Sequence, residues 1–389
     1  MEQAKPLCEY YKKCGGCTAQ HIAYETQLEN KKKWIINELK NNSIDFKGEV
    51  KVFGSEPYHY RNRMDFLFMG GGLGLRRKEE FENILPIYKC VISNEKINTL
   101  LDEVWAWVQE NQKDLHASQI SKYFGDFKYA VIRSSEFMES STVVFVLKDY
   151  APNRKRHIEM IKKYKDVTTA NNLVVVSIPE PDEEGEEVIN EPIECFALKG
   201  LVDMKEKILG NRIAFNSNSF FQNNSKVAEK MVLHTKEILQ KYETKNAILA
   251  DLYGGAGTFG ICLRELFAKT FIIDNEPLNI TAAQKNIKLM KYQNVEAMCK
   301  DAGAISNLKQ SNKPFFLIAD PPRSGMEKKV IDRILLTKPD VMIYVSCNPS
   351  KLASDLRKFQ KHYELESVAF FDLFPQTPHI EVIAELKRK

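Results

Sequence analysis

No apolar run in the 389 residues approaches the roughly 20 needed to cross a bilayer as a helix, which argues against a membrane protein. The opening stretch, MEQAKPLCEYYKKCGGC, lacks the apolar core of a secretory signal. The expectation is a cytoplasmic chain, in which thiols stay reduced and clustered cysteines bind metal more often than they form disulfides. Charge of one sign is not in excess: the net charge is +4, too little to point to a partner. There is no internal repeat and no long low-complexity segment. What remains, at 43% hydrophobic and 28% charged residues, is an ordinary globular composition. The length suggests about two or three domains.

The distribution of charge says more than its sum. Basic clusters fall at Lys31–Lys33, at Arg61 and Arg63, at Arg76–Lys78 and at Arg154–Arg156, mostly in the first half. They suit a polyanion such as nucleic acid, or equally a solvated surface. From about residue 205 onward, apolar runs alternate with helix-like segments: AILADLYGGAGTFG, KTFIID, PFFLIADPP and VMIYVSC end in turns that lead into helices. Such alternation predicts a parallel sheet with helices on both faces. In the first half, a helix is expected over about 20–40. YRNRMDFLFM, YAVIRSS, STVVFVLKDY and NLVVVSI read as strands, and LLDEVWAWVQEN as a helix. The expectation there is an α+β domain with an antiparallel sheet; the boundaries are 1–205 and 206–389, with the helix over about 20–40 a candidate to pack on the second domain. The acidic stretch Pro179–Glu187 reads as a solvated loop.

DLYGGAGTFG follows a strand and opens a helix. Gly254, Gly255 and Gly257 let backbone approach a ligand, and a helix start offers free N–H groups. The GxGxxG spacing of dinucleotide sites is missing. Asp274 ends the next strand, 23 positions after Asp251, where a carboxylate can hold a ribose. Asp301 ends the third strand and is placed to meet an adenine. A nucleoside cofactor without a pyrophosphate, such as S-adenosylmethionine, fits better than NAD; a tight turn with no ligand is the plain alternative. Asp251, Asp274, Asp301, Asp320 and Cys347 each sit just after an apolar run, and ligands of open α/β sheets bind at those ends.

Cys347 is followed by Asn348 and Pro349, a good helix cap and a good first helical residue. A thiol beside a helix start is expected to favour thiolate. A thiolate beside an S-adenosylmethionine site suggests methylation of a pyrimidine at C5. Uracil C5 is a poor nucleophile until a thiolate adds to C6 and turns the ring into an enolate. A base must then remove the C5 proton so that the thiolate can leave. FPQTPHIE offers two candidates for that base, His379 and Glu381. Asp320 in ADPPR can receive the uracil N3–H.

Taken together, SFFQNN, DLYGGAGTF, ADPPR, VSCNP and FPQTPHIE resemble, in order across the second half, the S-adenosylmethionine-dependent RNA uracil-C5 methyltransferases that make 5-methyluridine in ribosomal and transfer RNA. The resemblance implies a Rossmann-like class I methyltransferase domain of α/β type, preceded by an α+β RNA-binding domain with an iron–sulfur segment. It makes Cys347 the nucleophile and Glu381 the base. It assigns Gln222, Tyr253, Gly255, Asp274, Asp301 and Asp320 to the cofactor side, with Gln222 and Asp320 also holding the uracil, and makes His379 a supporting residue. Gly254 departs from the pattern, since many members carry cysteine there. So does Asp274, where glutamate is usual.

Cys8, Cys14 and Cys17 have Cx5CxxC spacing and a distant partner in Cys90. Four thiolates serve a [4Fe–4S] cluster or tetrahedral zinc equally well. The resemblance to the ribosomal RNA branch of the family favours iron. Radical chemistry, which needs a tight CxxxCxxC triplet, does not fit. The oligonucleotide-binding TRAM barrel that opens larger members is expected to be absent. The implied substrate is a looped uridine in RNA, most simply 23S rRNA, since unstacked bases are cheapest to extrude. The expected protein is a monomer that binds neither membrane nor DNA. The alternatives are the same reaction on tRNA and an inactive iron–sulfur RNA-binding protein; the intact set Gln222, Asp320, Cys347 and Glu381 argues against the latter.

Overall fold

The computed structural model describes residues 3–115, 126–151, 153–179, 192–309 and 313–389. The acidic stretch after Pro179 lies outside them.

The second half builds an eight-stranded sheet. Its order is Lys51–Phe53, Tyr363–Phe371, Glu381–Arg388, Val341–Ser346, Phe315–Ala319, Ile248–Leu252, Lys269–Asp274, Val295–Cys299. All neighbours pair in parallel except at Glu381–Arg388, which runs antiparallel to both of its neighbours. Strand side chains alternate between faces. Ile248, Ala250 and Leu252 join a core with the helices Lys328–Thr337 and Pro349–Phe359. Leu249, Ile318 and Ile343 join a second core with the helix Ser225–Leu239 on the other face. Both faces are thus covered, which explains why the central strands are apolar throughout.

Residues early in the chain contribute to this sheet. The helix Tyr24–Asn41 buries Ile35 and Leu39 in the first of these cores, beside the helix Pro349–Phe359. Lys51–Phe53 adds the edge strand along Ala369–Phe371. The chain then leaves to form a seven-stranded sheet from Arg63 to Lys199. That sheet is antiparallel except for one pair, Ser141–Lys148 with Asn172–Ile178. The helix Arg154–Tyr164 makes the crossover between them, and a crossover returns the chain in the same direction. The expectation of a purely antiparallel sheet is therefore corrected at this pair. A hairpin of Asp203–Ile208 and Asn211–Asn216, turning at Leu209–Gly210 with positive φ at both, connects the two halves. Among the described residues, no helix is long and apolar enough to cross a membrane.

Candidate active site

Strand order reverses between Ile248–Leu252 and Phe315–Ala319, which opens a crevice at their carboxyl ends. The Gly-rich turn leaves the first of these strands. Tyr253, Gly255 and Gly257 all have positive φ, at 59°, 57° and 91°. A Cβ added at Gly254 would lie 2.8 Å from Ile272 Cγ2 and 2.9 Å from Asp251 Oδ2. That packing leaves no room for a side chain at residue 254. The Gly255 N–H donates to Asp274 Oδ2 at 2.9 Å, and the Glu276 N–H donates to Asp274 Oδ1 at 2.8 Å. Asp274 thus fixes the turn from the neighbouring strand end.

Phe220, Phe221, Gln222, Tyr253, Gly254, Gly255 and Asp320 line one cavity over this turn. The segment carrying Gln222 is held by the first half of the chain: Asn62 Nδ2 donates to the Gln222 carbonyl at 2.9 Å, and the Arg133 guanidinium donates to the Ser219 carbonyl. Sequence reasoning missed both anchors, because a buried arginine on a strand reads as a surface charge until its partner is known. Asp301 stands apart from the cavity lining. It is exposed, caps its own turn through the Gly303 N–H at 2.8 Å and pairs with Lys329 at 3.0 Å.

Cys347 is half-buried between the strand Val341–Ser346 and the helix Pro349–Phe359, whose cap Asn348 accepts from the Lys351 N–H. Asn348 Nδ2 also donates to the Arg323 carbonyl at 3.2 Å, which ties the thiol segment to the Asp-Pro-Pro-Arg turn. Glu381, buried, opens the last strand, opposite Phe371. The electrostatics differ from the expectation at Cys347. Burial, and then the carboxylates of Glu381 and Asp320, push the thiol up to about 11, against the opposing pull of Arg323. Loss of hydration and two neighbouring acids outweigh the helix end. Burial also raises Asp320 to about 7, and burial with the Asp320 charge holds Glu381 well above the carboxylate range. Asp251, fully buried, is raised to about 7, although its Oδ2 accepts the Gly260 N–H at 2.7 Å. His379 is lowered by burial and by Arg323, whose guanidinium lies 3.4 Å from its Nδ1. The site is therefore a set of interacting acids, each of which makes ionisation of the others costlier.

Cys8, Cys14, Cys17 and Cys90 line a separate cavity of about 360 Å³, with Tyr10, Gly15, Gly16 and Arg61. Burial pushes Cys14 up to about 11 and Cys17 up to about 12, and raises Cys8. Among the described residues, no three His, Cys, Asp or Glu side chains close into a cage around a single ion.

A glycine-rich turn at the strand-order reversal, with carboxylates and a thiol at the adjoining strand ends, makes this a Rossmann-like α/β domain with its ligand crevice at the strands' carboxyl ends. A model of the tRNA (uracil-5-)-methyltransferase family matches residues 199–389. An uncharacterized RNA methyltransferase of Caldanaerobacter subterraneus subsp. tengcongensis is 30% identical over 389 residues, covering 98% of this chain and 84% of the relative. The tRNA (uracil(54)-C(5))-methyltransferase of Pyrococcus abyssi is 29% identical over 383 residues, covering 98% and 85%. The crystal structure of the Pyrococcus abyssi tRNA (uracil-54, C5)-methyltransferase with S-adenosyl-L-homocysteine superposes with a TM-score of 0.75 at 26% identity, over 96% of this chain and 86% of that one. The chain belongs to the S-adenosylmethionine-dependent RNA uracil-C5 methyltransferase family.

Proposed function

We propose that this chain makes 5-methyluridine at a looped uridine of 23S rRNA through a covalent adduct between Cys347 and uracil C6. The observation that carries the reading is the grouping of Cys347, Glu381 and Asp320 close enough to perturb one another, with Asp320 on the wall of the cavity over the Gly-rich turn. S-adenosylmethionine supplies an electrophilic methyl group. Gln222, Tyr253, Gly255, Asp274 and Asp320 hold it, and Gln222 and Asp320 also face the uracil; Asp301, exposed and paired with Lys329, reaches the adenine only by leaving that pair. The Cys347 thiolate bonds to C6 and the ring charge moves to C5 and O4; C5 then takes the methyl group as the S–CH3 bond of the sulfonium breaks, leaving neutral S-adenosylhomocysteine. The Glu381 carboxylate removes the C5 proton, the C5–C6 double bond re-forms and the thiolate leaves. A carboxyl held well above its usual range is a strong base once ionised.

A second reading, the same reaction on tRNA, is favoured by the tRNA substrate in the names of the Pyrococcus relatives. Mass-spectrometric mapping of 5-methyluridine in rRNA and tRNA, from cells with and without the gene, separates the two. Loss of one rRNA position supports the first, loss of a tRNA position the second, and no loss in either refutes both.

The four cysteines are assigned to a [4Fe–4S] cluster. Four thiols wall one cavity, and the resemblance to the ribosomal RNA branch of the family favours iron over tetrahedral zinc. Metal analysis of anaerobically purified protein is expected to find about four irons per chain; stoichiometric zinc overturns the assignment.

A further inference from the structure

The thiol cavity and the Cys347 site are joined by one residue. Gln376 lies in the segment that leads from Phe371 to His379 and Glu381, is 3% exposed, and has a φ of 66°. A non-glycine residue in that region is strained and persists only where its surroundings demand it. Here the demand comes from the N-terminal segment. The Thr18 and Ala19 N–H groups both donate to the Gln376 carbonyl, at 3.0 and 3.1 Å. The Gln376 N–H donates to Gln27 Oε1 at 3.1 Å, and Gln27 Nε2 donates back to Gln376 Oε1 at 3.0 Å. Every backbone and side-chain partner of Gln376 in this set comes from residues 18–27, and Thr18 directly follows Cys17. Gln20 adds a tie inside the thiol loop, where its Oε1 accepts the Cys8 N–H at 3.1 Å.

Beyond Gln376 the segment has short ties of its own. Tyr60 Oη donates to the Pro375 carbonyl at 2.9 Å, and Lys31 Nζ reaches Asp372 at 2.7 Å and the Phe374 carbonyl at 3.2 Å. The His379 N–H donates to Thr377 Oγ1 at 3.3 Å. Among the described residues, no strand pairing is made between Gln376 and Glu381; the Arg323 guanidinium lies 3.4 Å from His379 Nδ1, and Ile380 anchors the far end in the first core, so Gln376 is the point at which the N-terminal segment grips this stretch.

We propose that Gln376 is a positioning residue, the joint through which the thiol-rich loop holds the His379–Glu381 segment in register with Cys347. Filling of the thiol site then sets the order of the catalytic segment. A centre bound by Cys8, Cys14, Cys17 and Cys90 fixes the backbone of residues 8–17, and with it the two N–H groups of residues 18 and 19. Losing it frees the Gln376 carbonyl, and the strained turn relaxes. The inference rests on the reading that the thiols hold a metal centre and that the His379–Glu381 segment serves the reaction.

The test is hydrogen–deuterium exchange, which needs neither RNA nor turnover. Three samples are compared: metal-loaded protein, the same protein stripped of metal, and metal-loaded Gln27→Ala, which loses both side-chain bonds to Gln376. In the last two, exchange over residues 374–380 is expected to rise at least about tenfold. The strand Val341–Ser346 and the affinity for S-adenosylmethionine should stay within about twofold. Unchanged exchange at 374–380 on stripping, or in Gln27→Ala, overturns the proposal. Should stripping loosen the whole chain, the loaded Gln27→Ala protein decides alone: a local rise supports the joint, and none refutes it. Failure of the adduct chemistry would show instead as turnover by a Cys347 variant, with the exchange result standing.

Discussion

Replacing Cys347 with alanine is expected to reduce methyl transfer by at least about 10⁴-fold, roughly 5.5 kcal/mol of transition-state stabilisation, with S-adenosylmethionine affinity within about threefold of wild type. Without the sulfur, uracil C5 has no enolate character and no neighbouring group replaces it, since Asp320 and Glu381 offer only carboxyl oxygens, which are poor nucleophiles towards C6. RNA carrying 5-fluorouridine should trap wild-type protein as a band stable to denaturation, because fluorine cannot leave C5 as a proton does; the alanine variant should give no band. The electrostatics add a pH signature. With the thiol raised to about 11, only roughly 10⁻⁴ of it is thiolate at pH 7, and that fraction grows about tenfold per pH unit up to the thiol's own value. Trapping, which needs S-adenosylmethionine because only the methylated adduct cannot revert, should therefore accelerate with pH between about 7 and 9. A sulfonium bound nearby opposes the carboxylate charges and flattens the profile. Residual turnover above about one hundredth of wild type in the alanine variant, with adduct still formed, sinks the nucleophile assignment.

The placement of the candidate site groups was legible because parallel strands in a covered sheet must be apolar along their length. The first polar residue after each run therefore marks its carboxyl end. Asp251, Asp274, Asp320 and Cys347 follow this rule. Asp301 follows it too, yet faces solvent and Lys329, because periodicity fixes the position of a strand end and not the direction of the side chain beyond it. The thiol shows another limit. Asn-Pro correctly marks a helix start, but the acidity of Cys347 depends on Glu381 and Asp320, which other strands bring in. The hairpin at Asp203–Asn216 passed unnoticed because alternate Lys and Glu hide its pattern, and one of them, Glu206, is buried among the Ser135 and Ser225 hydroxyls and the N–H groups of Glu136 and Phe137. Nor could local pattern show that Lys51–Phe53 completes a sheet whose other strands come about 200 residues later. Such long-range pairings are visible only in the fold.

Changing Glu381 to glutamine should separate the two halves of the reaction. Glutamine keeps the shape but cannot accept the C5 proton, so the methylated adduct should accumulate on ordinary uridine RNA, with release slowed by about 10²–10⁴-fold. The same change removes a carboxylate that raises the Cys347 thiol. Thiolate formation becomes easier, and the pH profile of adduct formation should move to lower pH, opposite to the direction expected if Glu381 activated the thiol. Wild-type adduct should be transient on the same RNA, so a denaturing gel with S-adenosylmethionine and unmodified substrate reads both effects. His379 is the competing base. Lowered by burial and by Arg323, it is neutral at pH 7 and able to take a proton. If Glu381→Gln turns over freely while His379→Gln accumulates adduct, the roles exchange. If both accumulate it, the proton passes between them. Should neither do so, C5 deprotonation by this segment is wrong, and the raised carboxyl at 381 serves only to keep the cavity neutral.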